Sequence, residues 1–177
     1  MTIKKFEGFS KFLSSFLLLS GIISLLNIGF ILFIFITRSE GSVINSPVPT
    51  FTIFKAQMND ASTNTKLLSG LVTGILVLLV YFYIFLKGSH FFKRLSQGQT
   101  PFSLENYKTL KEIGLVLSVT SFITPLLYSL IMTLNMPDGY YFLIGIDSDL
   151  LIGLLIYCMA EVIRYGVTLQ SLSDETV

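Results

Sequence analysis

The sequence predicts an all-α membrane protein: a four-transmembrane-helix bundle carrying a small β cap formed by its outer loops. Three observations lead there. Four long apolar stretches run through the 177-residue chain, at about residues 12–37, 67–86, 113–136 and 148–167. Hydrophobic residues make up 52% and charged residues 13% of it, where soluble domains carry about 25% charge. Basic residues sort onto alternate sides of the stretches. A hydrocarbon core about 30 Å thick needs roughly 20 apolar residues at helical rise. Backbone groups in lipid must pair within their own segment, which leaves helices or closed barrels. These runs are too continuous for barrel strands, which alternate over about ten residues.

The first stretch follows Lys4, Lys5 and Lys11. It is longer than the roughly 7–15 residues of a signal-peptide core, and Thr37-Arg38-Ser39-Glu40 offers no small-residue cleavage site. It reads as an uncleaved first helix. The second holds Gly70 and Gly74, a G-x-x-x-G pair expected to serve helix packing. Small residues let helices approach closely where lipid supplies no drive to associate. Ser20 with Ser24, and Gly114 with Ser118, repeat that spacing. Packing inside the chain is the expected use, and the same pairs allow a homo-oligomer. Pro125 lies within the third stretch, where it removes one backbone hydrogen bond and is expected to bend the helix.

The fourth stretch is the least clean. Its uncharged run, Leu150–Ala160, is only about 16 Å long at helical rise. It crosses a bilayer only with Glu161 and Arg164 at the inner boundary. Their spacing of three allows an ion pair on one helix face. The sharper alternative is that one of them contacts the middle loop and fixes its position. Cys158, the single cysteine, cannot form an intrachain disulfide and is expected to be a small buried hydrophobe. Cys158, Val162, Tyr165, Leu169 and Leu172 step by four, three, four and three, a heptad-like seam. The seam is expected to pack against the loop around Pro101, with a docking face for a soluble partner as the alternative.

Nine basic residues (Lys4, Lys5, Lys11, Lys87, Lys93, Arg94, Lys108, Lys111, Arg164) fall on one side, and Arg38, Lys55 and Lys66 on the other. Positive charge accumulates on the cytoplasmic side. Both termini and the middle loop, 87–112, are therefore expected inside, in a multi-pass protein of a bacterial plasma membrane. The outer loops are 38–66 and 137–147. Each holds a strand-like segment, Thr50–Phe54 and Gly139–Ile146, and the two are expected to pair over the bundle, with an interfacial position, which Tyr and Phe favour, as the alternative. The whole chain, 1–177, reads as one membrane domain. In the middle loop, Gly98 suits a helix C-terminus. The residue before Pro101 avoids helical backbone, and Ser103 suits an N-cap for the third helix.

Chemistry is sparse. A net charge of +1 offers no field for direct nucleic-acid binding. No phosphate-binding loop, nucleophile elbow or paired-histidine motif occurs, so the protein is expected not to be an enzyme, with no cofactor or metal. His90 stands alone. No span shows a proton relay.

Two patches carry a resemblance. One runs Gly98-Gln99-Thr100-Pro101-Phe102-Ser103-Leu104-Glu105-Asn106, followed by Leu110 and Ile113-Gly114. The other runs Ala160-Glu161-Val162-Ile163-Arg164-Tyr165-Gly166-Val167-Thr168-Leu169-Gln170 and ends in Asp174-Glu175-Thr176-Val177. Together they resemble a family of small bacterial four-span membrane proteins catalogued as domain of unknown function 2975. The resemblance carries no enzyme activity. Family members are often encoded beside a small helix-turn-helix regulator, which implies such a regulator as a cytoplasmic partner alongside the lipid bilayer itself. It also marks Pro101, Phe102, Glu105, Asn106, Glu161, Arg164, Tyr165 and Leu169 as a packing or partner motif. Against a regulator stand a small transporter or immunity-type protector, and a structural subunit of a membrane complex.

Overall fold

A computed structural model describes residues 3–37 and 49–175. The element order is α1 (Ile3–Thr37), β1 (Phe51–Met58), α2 (Thr63–Ser96), α3 (Leu104–Leu134), β2 (Tyr140–Ile146) and α4 (Asp149–Glu175). Arg38, Glu40, Pro47 and Thr176–Val177 lie outside the described residues. All four helices are long and apolar enough to cross a membrane. Helix α3 continues through Pro125. The segment read as a middle loop is mostly helix, because α2 runs on to Ser96 and α3 starts at Leu104.

The bundle is two helical hairpins side by side, α1 with α2 and α3 with α4, joined along α2 and α3. Small residues set each crossing. Ser89 Oγ donates to Ser14 O at 2.8 Å, and Ser14 Oγ donates to Ser89 O at 3.0 Å. Gly21 admits the ring of Phe82 and the Cβ of Phe85, and Leu17 fills the space beside Gly88. Between α3 and α4 the approach is tighter. A Cβ on Gly114 would stand 2.7 Å from Gly153 O and from Tyr157 N. Ile84, Ile113 and Leu117 form the apolar contact between α2 and α3. Most large side chains of α1, such as Phe12, Phe16, Leu26, Phe33 and Ile36, are exposed. A helix in lipid needs no apolar face buried in protein.

The two strands pair antiparallel, from Phe51 opposite Ile146 to Met58 opposite Tyr140, with an irregularity between Thr52 and Phe54. The strand-like segments therefore do pair, as their alternation predicts. The sheet does not sit over the end of the bundle. Strand β2 lies along α3, with Tyr141 and Leu143 buried beside Tyr128 and Met132. Its inner-edge backbone is satisfied by hydroxyls of α3. Tyr141 N donates to Thr133 Oγ1 at 3.1 Å, Leu143 N to Ser129 Oγ at 2.8 Å and Asp147 N to Ser121 Oγ at 2.8 Å. Four residues of helix rise about 6 Å and two residues of strand about 6.7 Å, so the two elements stay in step. Thus α4 covers one half of the α3 flank, and β2 covers the other.

Candidate functional site

At the end where α2 meets α3, the chain turns within a few residues, and each local device is visible. Gln97 closes α2 and Gly98 follows at φ +81°, a left-handed conformation that costs other residues a clash. Ser103 caps α3 by accepting the Asn106 N–H at 3.2 Å. Asn106 is completely buried. Its Nδ2 donates to Thr100 O and to Pro101 O, each at 3.2 Å. Arg94 reaches across from α2, with Nη1 2.5 Å from Glu105 Oε1 and Nη2 2.8 Å from Thr109 Oγ1.

Helix α4 meets this turn. Gly166 faces the ring of Phe102 so closely that a Cβ there would collide with it. Tyr107 donates to Glu161 at 3.4 Å, and Lys111 Nζ donates to the Tyr107 hydroxyl at 2.9 Å. Arg164 pairs with Glu161 at 2.7 Å and lies over the Tyr107 ring. Of the predicted motif, Pro101, Phe102, Glu105, Asn106, Glu161 and Arg164 thus come together in one cluster. Tyr165 and Leu169 do not. With Val162 they are 67%, 49% and 66% exposed, so the seam faces away from the Pro101 loop. Gly166, on another face of the same helix, makes that contact instead. Cys158 is likewise exposed, not buried. Arg94 is committed to Glu105 and Thr109, and His90 Nδ1 lies 2.8 Å from Leu86 O in its own helix.

A second polar cluster lies deeper. A cavity of about 180 Å³ opens between α1, α2, α3 and the start of α4, lined by Gly70, Thr73, Gly74, Tyr81, Asp147 and Asp149 among others. The Gly70–Gly74 pair borders this space and makes no close helix crossing at Gly74, where an added Cβ would meet nothing within 4 Å. Tyr81 donates its hydroxyl to Asp149, and Thr50 donates to Asp147 at 2.6 Å. Lys66 and Lys87 bracket the apolar part of α2. Tyr81, six residues from Lys87, lies about 9 Å inside that bracket at helical rise. Asp149 therefore begins α4 within the depth of the bundle. Reading Asp147 as the end of an outer loop missed this, because the contact of Asp149 with Tyr81 joins residues far apart in sequence.

The same depth scale positions the other end of α4. From Asp149 to Glu161 is about 18 Å, so Glu161 lies about 9 Å beyond Lys87 and Arg164 further still. Lys87 itself pairs with Glu112 at 2.9 Å. The exposed strip of Val162, Tyr165 and Leu169 follows past that pair.

Four apolar helices in two hairpins, with a sheet laid along the third, define a multi-pass membrane protein. The chain belongs to the family described as "Protein of unknown function (DUF2975)", which matches residues 45–177. That range takes in both clusters and leaves out the whole of α1. No curated protein and no solved structure matches the chain.

Proposed function

We propose that this is a non-enzymatic regulator or sensor of the bacterial plasma membrane, with both termini cytoplasmic, that binds and restrains a helix-turn-helix transcription regulator. The observation that carries the reading is the apolar strip of Val162, Tyr165 and Leu169, exposed and set beyond the Lys87–Glu112 pair. An apolar helix face past the polar boundary has no lipid to cover it, and such a face suits helix-in-groove recognition. Lys93 and Lys108 lie on the neighbouring helices at that end. The Asn106 turn and the Tyr107–Glu161–Arg164 contacts hold α4 in place, so the strip is presented on a rigid support. Restraint would require two arrangements of the chain that differ in affinity for the partner.

The test is a photo-crosslinking residue at Leu169 in cells, with crosslinked partners identified by mass, and transcript profiling after deletion of the gene. The reading expects a DNA-binding protein in the crosslink and a changed transcript set. A small transporter is the second reading, favoured by the Asp147–Asp149–Tyr81 cluster inside the bundle. Unchanged transcripts, no crosslinked soluble protein and loss of solute uptake would decide for it.

A further inference from the structure

We propose that the cavity beside Tyr81 is a binding site for a small monovalent organic cation, a protonated primary amine with a short apolar tail. The inference goes beyond the regulatory reading and needs no protein partner. Asp147 and Asp149 bring two carboxylates to the wall of the cavity. Among the described residues neither forms an ion pair. The N-terminus of α4 offers about half a positive charge, less than two carboxylates can accept. Ionisable groups at such depth are costly and mark ligand sites or pathways.

Hydrogen-bonding capacity is also left over. Asp149 accepts from Tyr81 through Oδ2, and Asp147 accepts from Thr50 and from Ser148 N through Oδ1. The second oxygen of each has no partner among the described residues. Thr73 is independent of the acidic pair. It lines the same cavity, is completely buried, and its Oγ1 has no hydrogen-bond partner among the described residues. Buried polar atoms are seldom left in that state. Two carboxylate oxygens and one hydroxyl match the three N–H donors of an alkylammonium group. Ile31 and Val77 supply apolar wall for a short alkyl chain. At about 30 Å³ per water-sized volume, the cavity has room for a ligand of a few heavy atoms. Among the described residues no three His, Cys, Asp or Glu side chains group as metal ligands, which favours an ammonium over a divalent ion.

The test uses the full chain, purified in lipid nanodiscs, titrated calorimetrically with n-butylammonium chloride, 1-butanol and sodium chloride. The expected result is saturable binding of one butylammonium per chain, with no saturable heat from 1-butanol. Asp149→Asn and Asp147→Asn should each weaken it about tenfold or more, the loss of one charged hydrogen-bond partner. Gly74→Leu should abolish it, since Gly74 lines the cavity and a Cβ there meets nothing within 4 Å, so the added side chain fills the binding space. That variant keeps the test decisive even where an aspartate variant misfolds. Four results overturn the proposal: no saturable heat with butylammonium, undiminished binding in Gly74→Leu, equal binding of 1-butanol, or saturation by sodium that butylammonium does not displace.

Discussion

Ser129 Oγ accepts the backbone N–H of Leu143 at 2.8 Å, with both residues buried, so a helix side chain does for β2 what a neighbouring strand would do. The same device recurs at Ser121 and Thr133. The fourth position of this α3 stripe is Pro125, which has no hydroxyl to offer. Removing one hydroxyl leaves a buried N–H unpaired, at a cost of about 1–3 kcal/mol. Ser129→Ala should therefore lower the thermal midpoint of the detergent-solubilised protein. Ser20→Ala, which loses only a bond to Phe16 O within its own helix, should leave the midpoint nearly unchanged. Equal midpoints for the two variants would show that the hydroxyl ladder does not hold the strand.

The glycines of the bundle divide into two kinds, and the division is measurable. Gly114→Ala drives a methyl group into α4 backbone 2.7 Å away. Overpacking of that sort costs about 1–3 kcal/mol, and neither Gly153 nor Tyr157 can yield there without moving main chain. Gly74→Ala meets nothing within 4 Å and removes a flexible residue from a helix, a gain of about 0.5–1 kcal/mol. Thermal unfolding should move in opposite directions for the two substitutions.

The sequence showed the helices through their apolar length, the α2–α3 turn through Gly98 and Ser103, and the strands through alternation. Each of those signals is local. What stayed hidden depends on which residues meet across the bundle. The G-x-x-x-G at Gly70 looks the same whether it borders a helix or a cavity. Asp147 looks like a loop acid until the contact of Tyr81 with Asp149 fixes the depth of this segment. The seam through Tyr165 has heptad spacing on either face, and only the Gly166–Phe102 contact shows which face turns inward. Ser121, Pro125, Ser129 and Thr133 do repeat every four residues, a signal available in advance. Its meaning rests on a strand edge that no local pattern reveals.

The joining of the two family patches predicts an energetic coupling. Gly166→Ala should be strongly destabilising because Phe102 occupies the space its Cβ needs. Phe102→Ala vacates that space, so the double variant should be less damaged than the sum of the two singles. Residues in direct contact couple by about 0.5–3 kcal/mol. A cycle that closes to zero would mean that the Phe102 ring does not rest on Gly166 in solution.

The uneven charges predict an orientation, which has its own test. Helices α1 and α2 run antiparallel, as do α3 and α4, so Ser62 and Ser173 fall at opposite ends of the bundle. Nine basic residues on the side of the α2–α3 turn, against three on the other, predict that this turn and both termini are cytoplasmic. In a Cys158→Ser background, which removes an exposed thiol, single cysteines are introduced by Ser62→Cys and Ser173→Cys. A membrane-impermeant thiol reagent added to intact cells should label the Ser62→Cys protein and spare the Ser173→Cys protein until the cells are opened. The reverse pattern would place the exposed strip of α4 outside the cell, where no transcription regulator could reach it. The labelling result therefore bears on the regulatory reading as directly as on the topology.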